Sequence, residues 1–410
     1  MILFFEPRIV IDSVRRLKKL FESAFIPLCV LMRLEILIKK RFVIAFFGGL
    51  IYNRIMAESY YQDRNFKNLK KIERLLDELP SFVSDYFLGI ENQTSTLTRL
   101  NYAYDLRIFF DYLTKKIYKD KTIPDLTLQD IENISGSDIE RFLSYLNRYE
   151  YNGNVESCNE RAKARKLSTI RAMYKYFFSK DRIGVDNAAK VSMPKLHEKE
   201  IIRLEVNEVS ALLNCADSGI GMNNHQRAFH EKTKVRDVAI LTLFLGTGIR
   251  ISELVGLNDE DIDFTTNSFK VTRKGGNQAI LYFSDEVADA LARYLAYKED
   301  DKNTPQDEHA LFLSLKMQRI SVRAVENLVK KYSKIVTPLK KISPHKLRST
   351  YGTQLYRETQ DIYVVADVLG HKDVNTTKKH YAAISEDIRR SVAGKVKLRE
   401  SDSDDGRNNS

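Results

Sequence analysis

Apolar residues recur at the spacing of an α-helix throughout residues 66–180, and this periodicity limits that part of the chain to a helical bundle. The stretch TLTRLNYAYDLRIFFDYLTKK carries the broadest apolar stripe, which consists of Leu100, Tyr104, Leu106, Phe110 and Leu113. Further helices are predicted over residues 82–88, 138–148 and 162–178. Apolar stripes of this width have to be covered by other helices, so the segments predict one compact helical unit.

The second half of the chain mixes helices with one β-hairpin. Residues 268–273 alternate apolar and polar side chains, a Gly-Gly pair predicts a tight turn, and residues 279–283 continue the hairpin, which places Lys274 at its tip. Helical segments are predicted over residues 204–215, 286–298 and 320–335. The predicted fold class is therefore mainly α with a small β-sheet.

Length and composition favour a two-domain protein that binds a polyanion. The 410 residues exceed the usual size of one domain, and 43% hydrophobic residues suffice for a core in each of two. The net charge of +11 favours a polyanionic partner, although charge does not separate DNA from RNA or acidic lipid. The sequence has no Gly-rich phosphate loop followed by Lys-Ser/Thr, so no nucleotide cofactor is expected.

Cysteine and histidine spacing argues against a metal or disulfide framework. Cys29, Cys158 and Cys215 are far apart and form no C-x-x-C pair, which indicates a reducing, cytoplasmic location. His225 and His230 are five residues apart in a polar, Gly-containing stretch that we expect to be flexible. Loop histidines without cysteine or carboxylate support rarely bind metal, so no metal site is expected.

Residues 1–55 differ from the rest because they are both apolar and basic. They carry 10 Lys and Arg against 4 Asp and Glu, which is +6 of the total +11. Their longest uncharged piece, residues 42–53, is shorter than the ~20 apolar residues of a membrane span, and no clean signal-peptide cleavage site follows. We therefore expect that translation begins at Met56. Attachment of a DNA-binding protein to a membrane through this segment is the alternative.

The stretch SPHKLRSTYGTQLYRETQDIYVVADVLGHKDVNTTKKHY concentrates groups that suit phosphate chemistry. His345 and Arg348 are three residues apart, so on a helix they lie on one face and reach one target together. His371 follows a Leu-Gly break, Tyr381 ends the stretch, and Arg250 lies earlier in LGTGIRISELVGL. Arginine binds phosphate through a permanently charged fork, histidine exchanges protons near neutral pH, and a tyrosine oxygen is a nucleophile.

In order, spacing and local context these five residues resemble the tyrosine recombinase (phage integrase) family. The similarity covers residues 200–398, and the Arg-Ile-Ser-Glu-Leu and Leu-Gly-His contexts make it specific. The resemblance implies a site-specific recombinase, most like the bacterial Xer-type members, that cuts and rejoins DNA without a cofactor. Integration or excision of DNA and the resolution of chromosome dimers are both compatible with the motifs.

The resemblance to tyrosine recombinases also implies how the chain divides into domains. It implies an all-helical core-binding domain that clamps DNA, joined by a linker to a catalytic domain. Low periodicity, a proline and alternating charge mark the linker, and the last residues are polar and charged, which predicts disorder. The predicted boundaries are 1–55 for the atypical extension, 56–182 for the core-binding domain, 183–202 for the linker, 203–398 for the catalytic domain and 399–410 for a disordered tail.

The resemblance also implies how the scissile phosphate is bound. Arg250 and Arg348 would clamp it through their forks and stabilise the charge that develops at phosphorus. His345 would act as general base or hydrogen-bond partner, and His371 would donate a hydrogen bond to the phosphate. Glu253, three residues after Arg250, would support that arginine.

The nucleophile and the general acid follow from the same resemblance. Tyr381 would form a 3′-phosphotyrosyl link, which keeps the energy of the DNA backbone so that strands are rejoined without ATP, and Lys274 would protonate the departing 5′-hydroxyl. Lys270 and Arg273 lie near Lys274, and many family members carry a second lysine where this chain has Asn277 and Gln278. Two further departures from the family pattern occur. Ser349 stands where the family often has histidine, and ten positions separate His371 from Tyr381, one more than is common, with His380 directly before the tyrosine.

A group of basic residues near the start of the predicted helix 162–178 suits DNA binding. The group consists of Arg161, Lys163, Arg165, Lys166 and Arg171. Such a run usually forms a solvated face. In the context of a DNA enzyme, phosphate contacts are the better interpretation, because neutralised phosphates release counterions.

The end of the chain predicts a subunit contact. Residues 386–399 form a short amphipathic basic segment after the nucleophile. In similar recombinases such a helix docks on a neighbouring subunit, and a cyclic head-to-tail contact would close a tetramer on two double-stranded DNA sites. Packing of this helix on its own domain is the alternative.

Two other functions compete with recombination. A type IB topoisomerase-like nicking-closing enzyme would use the same chemistry as a monomer without pairing two sites. A DNA-binding protein that has lost catalysis would keep the fold only, although the intact set of six site residues speaks against it.

Overall fold

The computed structural model describes residues 60–151, 153–196, 202–273, 276–302, 304–305, 309–371 and 374. Several predictions therefore lie outside the described residues: the extension 1–55, Lys274, Tyr381, the helix 386–399 and the disordered tail 399–410.

The first part of the chain is helical, as its periodicity predicts. Residues 60–76 form α1. The helices that follow are α2 (Phe82–Gly89), α3 (Thr96–Lys116), α4 (Leu128–Glu132), α5 (Gly136–Tyr145) and α6 (Glu160–Ser179). The structure adds a small antiparallel hairpin of β1 (Tyr149–Tyr151) and β2 (Asn154–Glu156) between α5 and α6.

Hydroxyl side chains fix where these helices begin. The backbone N–H of Thr98 donates to Ser95 Oγ at 3.2 Å at the start of α3. Before α5, Ser135 and Asp138 form a reciprocal capping box, which satisfies two backbone donors that have no partner inside the helix. Helix α5 ends earlier than predicted because the chain turns at once into β1.

Aromatic rings and aliphatic side chains between these helices form one core, drawn from residues 72–191. The rings of Phe109 and Phe142 meet edge to face at 5.1 Å, and the buried Tyr174 hydroxyl donates to the carbonyl of Ile131 at 2.8 Å. Of the predicted stripe on α3, Tyr104 is instead exposed. Ile183, Ala188 and Val191, which the predicted linker includes, are buried in this core. The domain division itself stays a prediction.

The second part of the chain combines helices with a three-stranded sheet. Its helices are α7 (Val206–Ser218), α8 (Asn224–Thr247), α9 (Ile251–Gly256), α10 (Asp285–Asp300), α11 (Val322–Val336), α12 (Pro344–Thr359) and α13 (Ile362–Leu369). Its strands are β3 (Ile262–Asp263), β4 (Ser268–Thr272) and β5 (Gln278–Tyr282), in antiparallel order β3-β4-β5. Thr272 pairs with Gln278, so the predicted hairpin is confirmed.

Helix α8 is the centre of this second part. It packs against α7, α10 and α12, and much of its C-terminal half is buried, with Ala239, Ile240, Leu243 and Phe244 fully so. A helix that is apolar on every side is expected to lie inside a core. Because α12 packs on α8 and α13 packs on α12, the ends of these three helices are brought together.

The prediction that the segment around His225 and His230 is flexible was wrong. Both residues lie in α8, whose start is fixed by a capping box of Asn223 and Gln226. His225 is exposed, whereas His230 is fully buried with its Nδ1 3.2 Å from the Tyr332 hydroxyl. The two histidines therefore do not form a pair, and no metal-binding group occurs among the described residues.

Candidate active site

Arg250 stands at the junction between α8 and α9, where a buried carboxylate holds it. Glu253 is 3% exposed, and its carboxylate accepts the Arg250 backbone N–H at 3.0 Å and Nη1 at 2.7 Å. The turn before it needs glycine, because Gly248 has φ +62° and a Cβ there would lie 2.4 Å from the Tyr351 ring. The Gly-Thr-Gly-Ile-Arg segment therefore ends α8 and fixes the arginine at once.

Arg348 reaches the same place from α12. The residue is 5% exposed, its Nη1 donates to the carbonyl of Gly248 at 2.5 Å, and its Nη2 donates to the carbonyl of Leu369. Arg250 Nη2 donates to the carbonyls of Leu369 at 3.1 Å and Gly370 at 2.8 Å. Two arginines from different helices thus meet at one carbonyl at the end of α13.

A helix-terminating motif presents the residue that follows this carbonyl. Gly370 has φ +61°. Its N–H donates to the backbone carbonyl of Asp367 at 2.8 Å, and the His371 N–H donates to the backbone carbonyl of Ala366 at 2.9 Å. This pair of bonds is the Schellman motif, which ends a helix at a left-handed glycine. The Leu-Gly-His break noted in the sequence is thus the turn that places His371 directly after the carbonyls bound by both arginines.

His345 lies in the first turn of α12, one turn before Arg348. His345 is exposed, whereas Arg348 is buried, so the histidine lies at the rim of the site and the arginine lies in its interior. Ser349, the departure from the family pattern, donates its hydroxyl to the carbonyl of His345 at 3.0 Å.

The β4–β5 hairpin brings an unpredicted arginine to the same turn. The Arg273 backbone N–H donates to the carbonyl of Asn277 at 2.7 Å, and its Nη2 donates to the carbonyl of Val368 at 3.3 Å. Three successive carbonyls at the end of α13, those of Val368, Leu369 and Gly370, therefore accept from guanidinium groups. The sequence placed Arg273 beside Lys274 but predicted no role for it, because nothing in the sequence indicates its contact with the end of α13.

The predicted DNA-contact group on α6 divides into exposed and internal residues. Lys163 is 7% exposed, with Nζ bonded to Asn147 and Glu160, and Lys166 is 5% exposed and donates to Asp105 at 3.0 Å. The Arg171 guanidinium donates to the carbonyls of Ala188, Ala189 and Val191. Arg161 is exposed, as is about half of the Arg165 side chain, which also pairs with Asp105 at 2.5 Å. Burial in ion pairs thus removes Lys163 and Lys166 from the surface that DNA would touch.

None of the helices in the described part of the chain has the length and hydropathy that a membrane span requires.

Comparison with known proteins connects this geometry to a family. Residues 203–387 match the phage integrase family, and residues 83–180 match the phage integrase N-terminal SAM-like domain. The tyrosine recombinase XerC of Caldanaerobacter subterraneus is 32% identical over 342 residues, which cover 81% of this chain and 89% of that protein. The tyrosine recombinase XerS of Lactococcus lactis is 29% identical over 346 residues, covering 78% and 96%.

Solved structures support the fold class. The XerH site-specific recombinase bound to palindromic difH substrate superposes with a TM-score of 0.59 at 18% identity, over 79% of this chain and 88% of that one. The Tn1549 transposon integrase in complex with circular intermediate DNA gives a TM-score of 0.54 at 19% identity, over 75% and 97%. These likenesses confirm a mainly helical fold with a small sheet.

Proposed function

The chain belongs to the phage integrase family of tyrosine recombinases and is a tyrosine-type site-specific recombinase, and on that premise we propose that it cuts DNA through Tyr381 at the site around Leu369. One observation carries the assignment of the site. Arg250 and Arg348, 98 positions apart in sequence, both donate to the Leu369 carbonyl, two residues before His371. The proposed roles are phosphate binding by the arginines, assistance by His345 and His371, and integration, excision or dimer resolution as the outcome.

The two arginines keep donors for an anion: Arg250 gives one to the Glu253 carboxylate, and the Arg348 bonds described above go to carbonyls. Three of the five N–H groups of Arg250 bind Glu253, Leu369 and Gly370, and about a third of its side chain faces solvent. A phosphodiester oxygen that approaches from that side meets the remaining face of the guanidinium. Charge-assisted bonds of this kind stabilise the extra negative charge of the pentavalent transition state.

The covalent step is assigned from the family resemblance. The Tyr381 hydroxyl gives its proton to His345 as general base while its oxygen attacks phosphorus. The bond from phosphorus to the 5′-oxygen breaks, and Lys274 protonates that oxygen as it leaves. The phosphotyrosyl bond conserves the energy of the broken phosphodiester. A second 5′-hydroxyl then reverses the step and releases the tyrosine, so neither ATP nor a metal ion enters the balance.

The helical part of the chain binds DNA through α6 in this proposal. Of the five basic residues predicted there, Arg161 and Arg165 are the two that we assign to phosphate contacts, because they are exposed. Lys163, Lys166 and Arg171 instead hold α6 to its neighbours.

Assembly and location complete the proposal. Four copies would pair two DNA sites, with the segment 386–399 of each copy docked on the next, which is the head-to-tail arrangement that closes a ring. A reducing cytoplasm suits both a DNA substrate and the thiols of Cys158 and Cys215, which are free in the structure.

A plasmid assay tests the function. The DNA site is first selected from a random-sequence pool by binding to the wild-type protein, and two copies in direct repeat are then placed on one supercoiled plasmid. We expect two smaller circles in buffer with EDTA and without ATP. Relaxation of the plasmid without any exchange of segments would favour a nicking-closing enzyme, and binding without either product would favour a protein that has lost catalysis.

A further inference from the structure

Arg273 joins the β4–β5 hairpin to the end of α13, a contact that the proposed chemistry does not use. The backbone of this residue closes the base of the hairpin turn, with its N–H bonded to the Asn277 carbonyl and its own carbonyl accepting from Gly276 at 3.1 Å. Its side chain leaves the hairpin and donates from Nη2 to the Val368 carbonyl. The contact therefore links two elements that are 95 residues apart.

Gly370 is shaped to receive this guanidinium. A Cβ at Gly370 would lie 2.1 Å from Arg273 Nη1 and 2.4 Å from its Cζ, closer than any real side chain is found. Because φ is +61°, glycine also relieves backbone strain at this position. Glycine thus serves two purposes at once, ending α13 and opening the space that Arg273 fills.

The position of the Arg273 guanidinium at a helix C-terminus stabilises the contact electrostatically. The carbonyls at a helix C-terminus carry partial negative charge, and a guanidinium placed on them is stabilised by the helix dipole. The Arg273 guanidinium donates from Nη2 to the Val368 carbonyl, and its Nε is buried without a hydrogen-bond partner among the described residues. The side chain is therefore packed into the turn rather than extended into solvent.

We propose that Arg273 is a positioning residue that fastens the hairpin to the Val368–Gly370 turn, and so sets the placement of the general acid relative to the phosphate-binding arginines. This inference rests on the proposed function, because Lys274 is covalently the next residue after Arg273 and His371 directly follows Gly370. Arg273 does not touch the reacting atoms in this account. It acts by holding the leaving-group side of the site to the phosphate side.

Two duplex substrates separate this role from a general loss of structure. Both carry the selected site with a nick that traps the covalent adduct, but one has sulfur in place of the bridging 5′-oxygen at the scissile bond. Sulfur leaves as a thiolate without needing a proton, so it bypasses the general acid. Single-turnover cleavage is measured for Arg273→Ala, Arg273→Lys, Lys274→Ala and the surface control Arg323→Ala, whose side chain is 79% exposed.

We expect Arg273→Ala to cleave the oxygen substrate about 10- to 100-fold more slowly than wild type, because small displacements of catalytic groups have effects of that size. On the sulfur substrate the deficit should fall to about threefold or less, as for Lys274→Ala. Arg273→Lys keeps a cation that reaches a carbonyl and should recover part of the rate, and Arg323→Ala should match wild type. Equal deficits of Arg273→Ala on both substrates, while Lys274→Ala is rescued, would overturn the inference.

A second measurement does not depend on the role of Lys274. Gly370→Ala expels the guanidinium, so Arg273→Ala should slow cleavage little further in a Gly370→Ala background, and the strain of a positive φ is the same in both. If the rate losses of the two single variants multiply in the double variant, the two residues act separately. That result would contradict the proposal that Arg273 fastens the hairpin to the turn. Failure of sulfur to rescue Lys274→Ala, with the coupling intact, would instead remove the general-acid assignment of the proposed function. Thermal unfolding of each variant confirms that the proteins compared are folded.

Discussion

The buried lysines of α6 are held by carboxylates, whereas the arginines at the end of α13 are held mainly by backbone carbonyls. On α6 the buried Asp105 binds Lys166, which is itself buried, and Glu160 binds Lys163. Arg165 also pairs with Asp105, but about half of its side chain stays exposed. At the end of α13, Arg250 pairs with Glu253, while Arg348 and Arg273 donate to the carbonyl oxygens of Gly248, Leu369 and Val368. The buried cations of α6 thus lie against carboxylates, whereas backbone carbonyls orient the guanidinium of Arg348.

This difference separates a scaffold from a binding site. A buried carboxylate cancels the charge of its partner, so the pair fixes helix position but offers little to a phosphate. A carbonyl dipole orients a guanidinium without cancelling its charge, and the positive potential remains for an anion. Clusters of basic residues in a sequence therefore have to be judged by their partners and not by their number.

Loss of Arg348 should have the largest effect on chemistry. Arg348→Ala removes a buried cation from the proposed phosphate site, and we expect single-turnover cleavage to fall by about 10³-fold, or ~4 kcal/mol of transition-state stabilisation. Arg348→Lys should restore little, because an ammonium does not span the Gly248 and Leu369 carbonyls as a fork does. Cleavage of a nicked duplex by either variant within threefold of the wild-type rate would contradict the assignment.

Loss of Asp105 should affect stability instead. Asp105→Asn leaves the buried Lys166 without its carboxylate, so we expect the free energy of unfolding in urea to fall by about 3 kcal/mol. Asp120→Asn, at an exposed position of the same unit, is the control and should change little. Under conditions where both proteins are folded, the cleavage rate of bound DNA should be unchanged. A variant as stable as wild type but slower in cleavage would reverse the contrast between the two regions.

The exposed members of the α6 group should control the salt dependence of DNA binding. Arg161→Ala and Arg165→Ala should each lower the slope of log affinity against log salt concentration by about one, since each removes one phosphate contact. Lys163→Ala should leave that slope unchanged, because its Nζ is engaged by Asn147 and Glu160 inside the fold. Titrations of one duplex at several salt concentrations measure all three. A slope reduced only by Lys163→Ala would mean that the wrong residues have been assigned.

The smallest effect concerns a buried group with no role in the chemistry. Burial lowers the pKa of His230 below its ordinary value of 6.5, so the unfolded chain binds a proton first as the pH falls. Stability should therefore be complete above pH 6.5 and decline below it, by about 1 kcal/mol more in wild type than in His230→Gln. His225→Gln, at an exposed position, is the matched control. Identical pH profiles for wild type and His230→Gln in urea unfolding would refute this assignment.

The parts of the fold that the sequence predicts well are those with local signals. Helix α3 spans the predicted residues because its apolar stripe is wide and Ser95 caps it. The start of α8 was missed because its first turns are polar, although Asn223 and Gln226 have the spacing of a capping box. Propensity and periodicity report the buried face of a helix and say little about a polar end.

The site shows where local reasoning stops. The order of Arg250, Arg348 and His371 identifies the family, but their meeting at the Leu369 carbonyl depends on how α8, α12 and α13 pack. The burial of Lys166 depends likewise on Asp105, 61 residues away. Partners so distant along the chain leave no periodic trace in a single sequence, so charge runs were predicted as one surface when the fold divides them.

Covalent trapping tests the central claim most directly. Wild type and Tyr381→Phe are incubated with a nicked suicide duplex that carries the selected site, in EDTA and without ATP, and the products are separated under denaturing conditions. The account predicts a protein–DNA adduct for wild type that is absent for Tyr381→Phe, with both proteins bound equally to the duplex. An adduct formed by Tyr381→Phe, or none formed by wild type on demonstrably bound DNA, would contradict it.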